Sequence, residues 1–205
     1  VTLSVTIMNT TPFAETPIVV SALCGSLRPG SSTRRALAIA LEGAAEAGAD
    51  ARLIDLGDYR LPFCGADNGD PDAVARFRRE IRTSHGLILG TPEYHGGFSG
   101  VLKNALDLLD PADVSGKMIG LVGVSGGPLG AANALNGLRT VARALHAWVV
   151  PEQASVPAAH NAFNRSDRLH DPALEARLKA VGRAVARFAA LHASATLHDL
   201  TPSGR

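Results

Sequence analysis

Three short segments of the chain hold most of the residues suited to binding chemistry. The first, Gly25-Ser-Leu-Arg-Pro-Gly-Ser-Ser-Thr-Arg34, gathers small residues, hydroxyls and two arginines just ahead of an Ala/Leu-rich stretch. A helix starting there turns free backbone N–H groups and the positive end of its dipole toward an anion. Ser26, Ser31 and Thr33 add hydroxyl donors, and Arg28 a guanidinium fork suited to a phosphate. The segment is neither G-x-G-x-x-G nor G-x-x-x-x-G-K-[ST], so neither a Rossmann dinucleotide fingerprint nor a P-loop is present in it.

The second segment is Thr91-Pro-Glu-Tyr-His-Gly-Gly-Phe-Ser-Gly100, and the third is Ser125-Gly-Gly-Pro-Leu-Gly130. A proline, an aromatic and several glycines let a backbone run close along a flat ligand and present N–H and C=O groups to ring heteroatoms. Glycines in the third segment keep side chains out of a crevice and permit positive φ. Taken singly, each segment also fits an ordinary βα turn, Tyr94 a half-buried aromatic and His95 a loop histidine. Their force lies in occurring together.

The elements between them explain how they meet. Short, nearly continuous apolar runs at 18–24, 51–56, 86–91, 117–125 and 148–150 alternate with helical patterns at 32–48, 71–84, 100–109, 130–146 and 171–193. Such runs read as strands buried on both faces of a parallel sheet, with helices covering each side. The expected fold is a doubly wound, five-stranded α/β/α sandwich. In an open sheet of this kind ligands bind beyond the carboxyl ends of the strands, where all three segments fall.

Composition narrows the function classes. The 205 residues are 46% hydrophobic and 19% charged, enough for a core and unlike a disordered chain. A net charge of +1 from 20 basic and 19 acidic residues argues against a nucleic-acid or anionic-membrane surface. No apolar run reaches the length of a membrane span, and residues 1–15 lack the pattern of a signal peptide. Two cysteines, Cys24 and Cys64, suit a reducing cytoplasm, and Cys24 at a strand end reads as a small buried hydrophobe. The seven histidines show no metal-ligand spacing, so no metal site is expected. No carboxylate pair or Ser/His/Asp spacing nominates a catalytic side chain. Arg60, Arg76, Arg78 and Arg79 read as solvated charge rather than a 2′-phosphate site. Residues 1–16 read as an N-terminal extension, 17–193 as the folded domain and 194–205 as a C-terminal tail without helical pattern.

Gly25-Ser-Leu-Arg-x-Gly-Ser-x-x-Arg34 and Thr91-Pro-Glu-Tyr-x-Gly-x-x-Ser-Gly-x-Leu-Lys-Asn-Ala-Leu-Asp107 closely resemble the NADPH-dependent FMN reductases, a family that includes quinone, chromate and azo-dye reductases. The resemblance spans about residues 17 to 190 and implies a flavodoxin-like fold. It implies that Ser26, Arg28, Ser31 and the Thr33–Arg34 backbone hold the FMN phosphate. It implies that Pro92, Glu93, Tyr94 and His95 line the isoalloxazine, with Ser125, Gly126 and Gly127 on its other edge. Thr33 and His95 each stand where many relatives carry Asn.

The activity implied is hydride transfer from NADPH or NADH to flavin N5, and onward to a quinone, free flavin, azo compound or similar small acceptor. The flavin carries that chemistry and the protein orients it. A homodimer or homotetramer is implied too, and the apolar helix face of Leu102, Leu106 and Leu109 is a candidate contact. The competing reading is a flavodoxin-type electron carrier. Carriers of that kind tend to be strongly acidic, whereas this chain is nearly neutral.

Overall fold

The computed structural model describes residues 17–66 and 70–199. Five parallel strands, β1 (Val19–Cys24), β2 (Asp50–Asp55), β3 (Gly86–Tyr94), β5 (Met118–Val124) and β6 (Trp148–Val156), lie in the order β2-β1-β3-β5-β6. A two-residue strand, β4 (Gly97–Phe98), folds back antiparallel on the end of β3. Every residue of β1 is buried, as are the first seven of β3, which is why these strands carry no apolar/polar alternation.

Helices α1 (Ser32–Glu46) and α7 (Pro172–Asp199) cover one face. On the other face lie α2 (Pro71–Thr83), α3 (Gly100–Asp107), the one-turn α4 (Pro111–Val114) and α5 (Ala132–Ala144). A further one-turn helix, α6 (Ala159–Ala162), follows β6. The expected three-layer architecture is therefore present. Helix starts follow their caps: Asp70 accepts from the N–H groups of Asp72 and Ala73 ahead of Pro71, and Ser99 accepts from that of Leu102.

Two element ends run past the sequence reading. Strand β6 runs to Val156 rather than stopping at Val150, because an edge strand tolerates Pro151 where the register with β5 shifts between Ile119 and Leu121. Helix α7 continues to Asp199, past the end expected at Ala193. Propagating a formed helix costs far less than starting one, and Ser194 is accommodated by donating to the Ala190 carbonyl. Residues 200–205 and the extension at 1–16 lie outside the described residues. Leu102, Leu106 and Leu109, expected as an assembly face, are buried in this chain's own core beneath α3. No helix among the described residues is long and apolar enough to cross a membrane.

At the amino ends of the strands, half-buried His85 accepts the Val19 N–H at its Nδ1, 3.0 Å away, which requires that nitrogen to be unprotonated. Burial, and then the charge of Lys117, lowers the His85 pKa below its ordinary value. The unfolded chain therefore binds the proton more readily. Stability from neutral His85 is complete above about pH 6.5 and is lost as the pH falls below it. Urea unfolding across about pH 7.5 to 5 is expected to show a declining midpoint that becomes shallower in His85→Gln. An unchanged slope would remove His85 from the account.

Candidate functional site

Beyond the carboxyl ends of β1, β3 and β5 lies a cleft of about 340 Å³. Ser26, Arg28, Ser31 and Thr33 line one end. Pro92, Glu93, Tyr94, Ser125 and Gly126 line the rest, with Ala159 and His160 on its rim. The strand order makes the β1/β3 boundary the switch point, since α1 leaves on one face and α3 on the other. The two loops are bonded directly. Gly25 N–H donates to the Gly90 carbonyl (2.8 Å), and the Ser99 hydroxyl donates to the Gly25 carbonyl (2.6 Å). Ser99 N–H in turn donates to Thr91 Oγ1 at 2.9 Å.

The first loop delivers α1 with its N-terminus toward the cleft. Ser31 is the N-cap, its hydroxyl accepting the Arg34 N–H at 3.3 Å. Ser32 and Thr33, both on the cleft wall, offer N–H groups that the helix itself does not use. Ser26 and Thr33 are buried, and among the described residues their hydroxyls have no protein partner. Arg28 lies over the Tyr94 ring, 5.4 Å from its centroid, and so spans the two loops.

Arg34 is placed otherwise. Its Nε donates to Asp55 Oδ2 at 2.6 Å, and this bond to the end of β2 raises its pKa. Its guanidinium braces β2 against α1 and lies outside the cleft lining. Cys24 is wholly buried at the end of β1, where burial pushes its thiol up and leaves it unreactive.

The second loop is a hairpin. Tyr94 pairs with Gly97, and the two turn residues, His95 (φ +52°) and Gly96 (φ +77°), are both left-handed, as a type I′ turn demands. Asn-Gly is the preferred pair for such a turn, so Asn at position 95 would suit this backbone better than His. His95 is exposed and off the cleft wall. His95→Asn is expected to raise stability by about 0.5 kcal/mol, or about 1–2 °C in melting temperature by scanning calorimetry. A loss would show the imidazole to be engaged.

Glu93 has a structural partner that its sequence position does not reveal. Its Oε2 accepts the Ala134 N–H at 3.0 Å and so caps α5, whose N-cap Ala131 has no capping side chain. The carboxylate thereby ties the second loop to the third. In the third loop, Ser125 Oγ accepts the Gly127 N–H at 3.1 Å, and Ser155 Oγ accepts the Ala131 N–H at 2.7 Å. Positive φ falls at Gly130 (+73°), where a Cβ would lie 2.4 Å from Ser155 Oγ. At Gly126 a Cβ meets no atom within 4 Å, so that backbone stands open. Gly127 lies off the cleft wall and accepts the Ala158 N–H.

A second cleft, about 460 Å³ and mostly apolar, shares Tyr94 with the first. Leu27, Leu56, Tyr59, Leu61, Phe63 and Val101 form its walls. Burial, and then the Glu80 carboxylate accepting its hydroxyl proton at 2.6 Å, pushes the Tyr59 pKa up to about 12, so it is neutral here. Among the described residues no cluster of His, Cys, Asp or Glu is placed to hold a metal.

The strand order, and the cleft at its switch point, define a flavodoxin-like α/β protein. The chain belongs to the NADPH-dependent FMN reductase family, whose model matches residues 18–161. This is an oxidoreductase family with FMN as cofactor and NAD(P)H as co-substrate. Over 162 residues the chain is 38% identical to an NAD(P)H-dependent FMN reductase of Pseudomonas aeruginosa, covering 75% of this chain and 85% of that one. Over 113 residues it is 33% identical to an NADPH azoreductase of Bacillus sp., covering 54% of this chain and 64% of that one. In fold it is similar to FerB, a flavoenzyme NAD(P)H:(acceptor) oxidoreductase from Paracoccus denitrificans. The TM-score is 0.71 at 24% identity, covering 85% of this chain and 98% of that one.

Proposed function

We propose that this chain binds FMN in the 340 Å³ cleft and acts as an NAD(P)H-dependent reductase of a small, flat organic acceptor. The observation that carries the reading is the division of the cleft into two chemically distinct ends. One end has the N-terminus of α1, the orphan hydroxyls of Ser26 and Thr33, and the Arg28 guanidinium, a donor set matched to a phosphate. The other has the Pro92–Tyr94 backbone and the open Gly126, room that a Cβ would fill and a planar ring can use. FMN, when bound, supplies acceptance of a hydride and its delivery onward.

The chain's own residues bind and orient. Ser26, Arg28, Ser31 and Thr33 hold the phosphate. Pro92, Tyr94, Ser125 and Gly126 meet the ring. Glu93 acts through α5, and Arg34 through β2. No side chain here needs to donate or take a proton in the reaction. Neighbouring Leu27, Phe63 and Tyr94 offer apolar walls to a quinone, a free flavin or an azo compound, the acceptor classes that an apolar cleft admits. Exposed Leu27 and Phe63 also support assembly as a homodimer or homotetramer. The free thiols of Cys24 and Cys64 suit a cytoplasmic setting.

The test is anaerobic: load the protein with FMN, remove the excess, and record the visible spectrum before and after NADPH or NADH. Retained flavin that bleaches supports the reading. Retained flavin that stays oxidised with both nucleotides replaces it with the electron-carrier reading. Failure to bind FMN in a titration removes it.

A further inference from the structure

We propose that His160 is a proton-linked contact for the flavin 5′-phosphate, so that the protein holds FMN more tightly as the pH falls through the imidazole range. The inference rests on the FMN reading above and concerns the same cleft.

His160 belongs to α6, which is pinned to the cleft rim from two sides. Ser32 Oγ donates to the Ala159 carbonyl at 3.5 Å, placing α6 against the first turn of α1. Ala159 N–H donates to the Ser125 carbonyl and Ala158 N–H to that of Gly127, both at 3.0 Å. Ala158 is held left-handed (φ +43°), a strained conformation for a residue with a Cβ that persists only where the surroundings enforce it. These bonds bring His160 to the wall that also carries Arg28, Ser31, Ser32 and Thr33.

The charge inventory of that wall gives His160 its role. Among the lining residues Arg28 and Glu93 are charged, and their signs cancel. Arg34 is taken by Asp55 and Arg35 by Asp167, with Arg35 also stacked on Phe163. A phosphate near its dianionic form therefore meets one free guanidinium and the helix terminus. Around α6 the remaining titratable groups are Tyr94 in the cleft, and Arg165, Arg168, His170 and Asp171 in the segment that follows. Arg168 is paired with Glu42 and Glu175, Asp171 accepts the Ala173 N–H, and His170 N–H donates to the Ala162 carbonyl. Of all these, only the two histidines belong to a residue type that ordinarily changes charge between pH 5 and 8. His160 is the one on the cleft wall. Protonated, it adds an N–H donor and a positive charge at the phosphate end.

The experiment follows release of flavin fluorescence after dilution of FMN-loaded and riboflavin-loaded protein, at about pH 8 and about pH 6.5, above the second phosphate pKa. Wild-type protein is expected to release FMN about fourfold more slowly at the lower pH, which is what one pKa unit of coupling to an imidazole gives between these two pH values. Riboflavin, which lacks the phosphate, shows no such step. His160→Gln abolishes the step for FMN, and His160→Arg gives slow release at both pH values. His170→Gln keeps the step. A wild-type rate independent of pH, a step that survives His160→Gln, or an equal step with riboflavin overturns the inference while FMN binding stands. Wild-type protein that takes up no FMN at either pH overturns the proposed function, and this inference with it.

Discussion

Replacing Gly182 with alanine is expected to destabilise the protein by about 3 kcal/mol, and with valine to leave little folded material. On an open helix face the alanine exchange works the other way, stabilising by about 1 kcal/mol through helix propensity. Here α7 crosses α1 backbone to backbone. A Cβ at Gly182 would lie 1.8 Å from the Ala40 carbonyl oxygen, and one at Gly43 would lie 2.1 Å from that of Lys179. Neither oxygen can rotate away as the end of a side chain can, so the helices must separate. Separation uncovers Leu37, Ala40, Leu178, Val181 and Val185, which form the core on that face of the sheet. The steric term exceeds the propensity term, and the sign reverses. Thermal melts should show a fall of about 10 °C for Gly182→Ala. Gly100, whose Cβ position is open, serves as the control, and Gly100→Ala should melt near wild type. Equal melting of both variants would mean that the helices do not cross in contact.

The second large effect falls on the cofactor and not on the fold. Gly25→Ala is expected to weaken FMN binding by about 30- to 100-fold, the equivalent of 2–3 kcal/mol of misfit. Far-UV circular dichroism should stay close to wild type. Gly25 is the joint between the two loops that build the cleft. A methyl group there would lie 2.8 Å from Leu102 Cβ, 2.9 Å from the Gly90 carbonyl oxygen and 3.0 Å from Ser99 Oγ. The same residue uses both backbone polar groups to hold the loops together. The loop carrying Ser26 and Arg28 must then lift away from the loop carrying Pro92 and Tyr94. Ser99→Ala tests the joint from the other side, since it removes the bond to the Gly25 carbonyl and the cap of α3 together. FMN titration by flavin fluorescence gives the readout for both variants. Unchanged affinity in Gly25→Ala would show that the loops bind independently.

Much of the cleft at the switch point was legible as local structure because its residues sit in loops with strong local signatures. Gly25 to Arg34 announces a helix N-terminus built of hydroxyls, and the structure forms that helix with Ser31 as its cap. Thr91 to Gly100 announces a backbone free to bend, and the structure makes it a type I′ hairpin. Where the reading missed, the partner lay far along the chain. Arg34 pairs with a residue 21 positions away, Glu93 caps a helix 41 positions on, and Ser32 reaches α6 across 127. In the sequence His160 is one of seven histidines without metal-ligand spacing, and nothing local marks it out. Only the course of β6 and the turn at Ala158 bring it to the cleft.

By itself the sequence determined the kind of protein this is. Strands buried on both faces need near-continuous apolar runs, and helices packed on one side need amphipathic ones. Those requirements are local and are written residue by residue. Tertiary structure decided which of the local candidates share a site and which serve the scaffold. That choice depends on strand order, and on close approaches such as Gly182 against Ala40, where backbone sterics between distant segments set the distance.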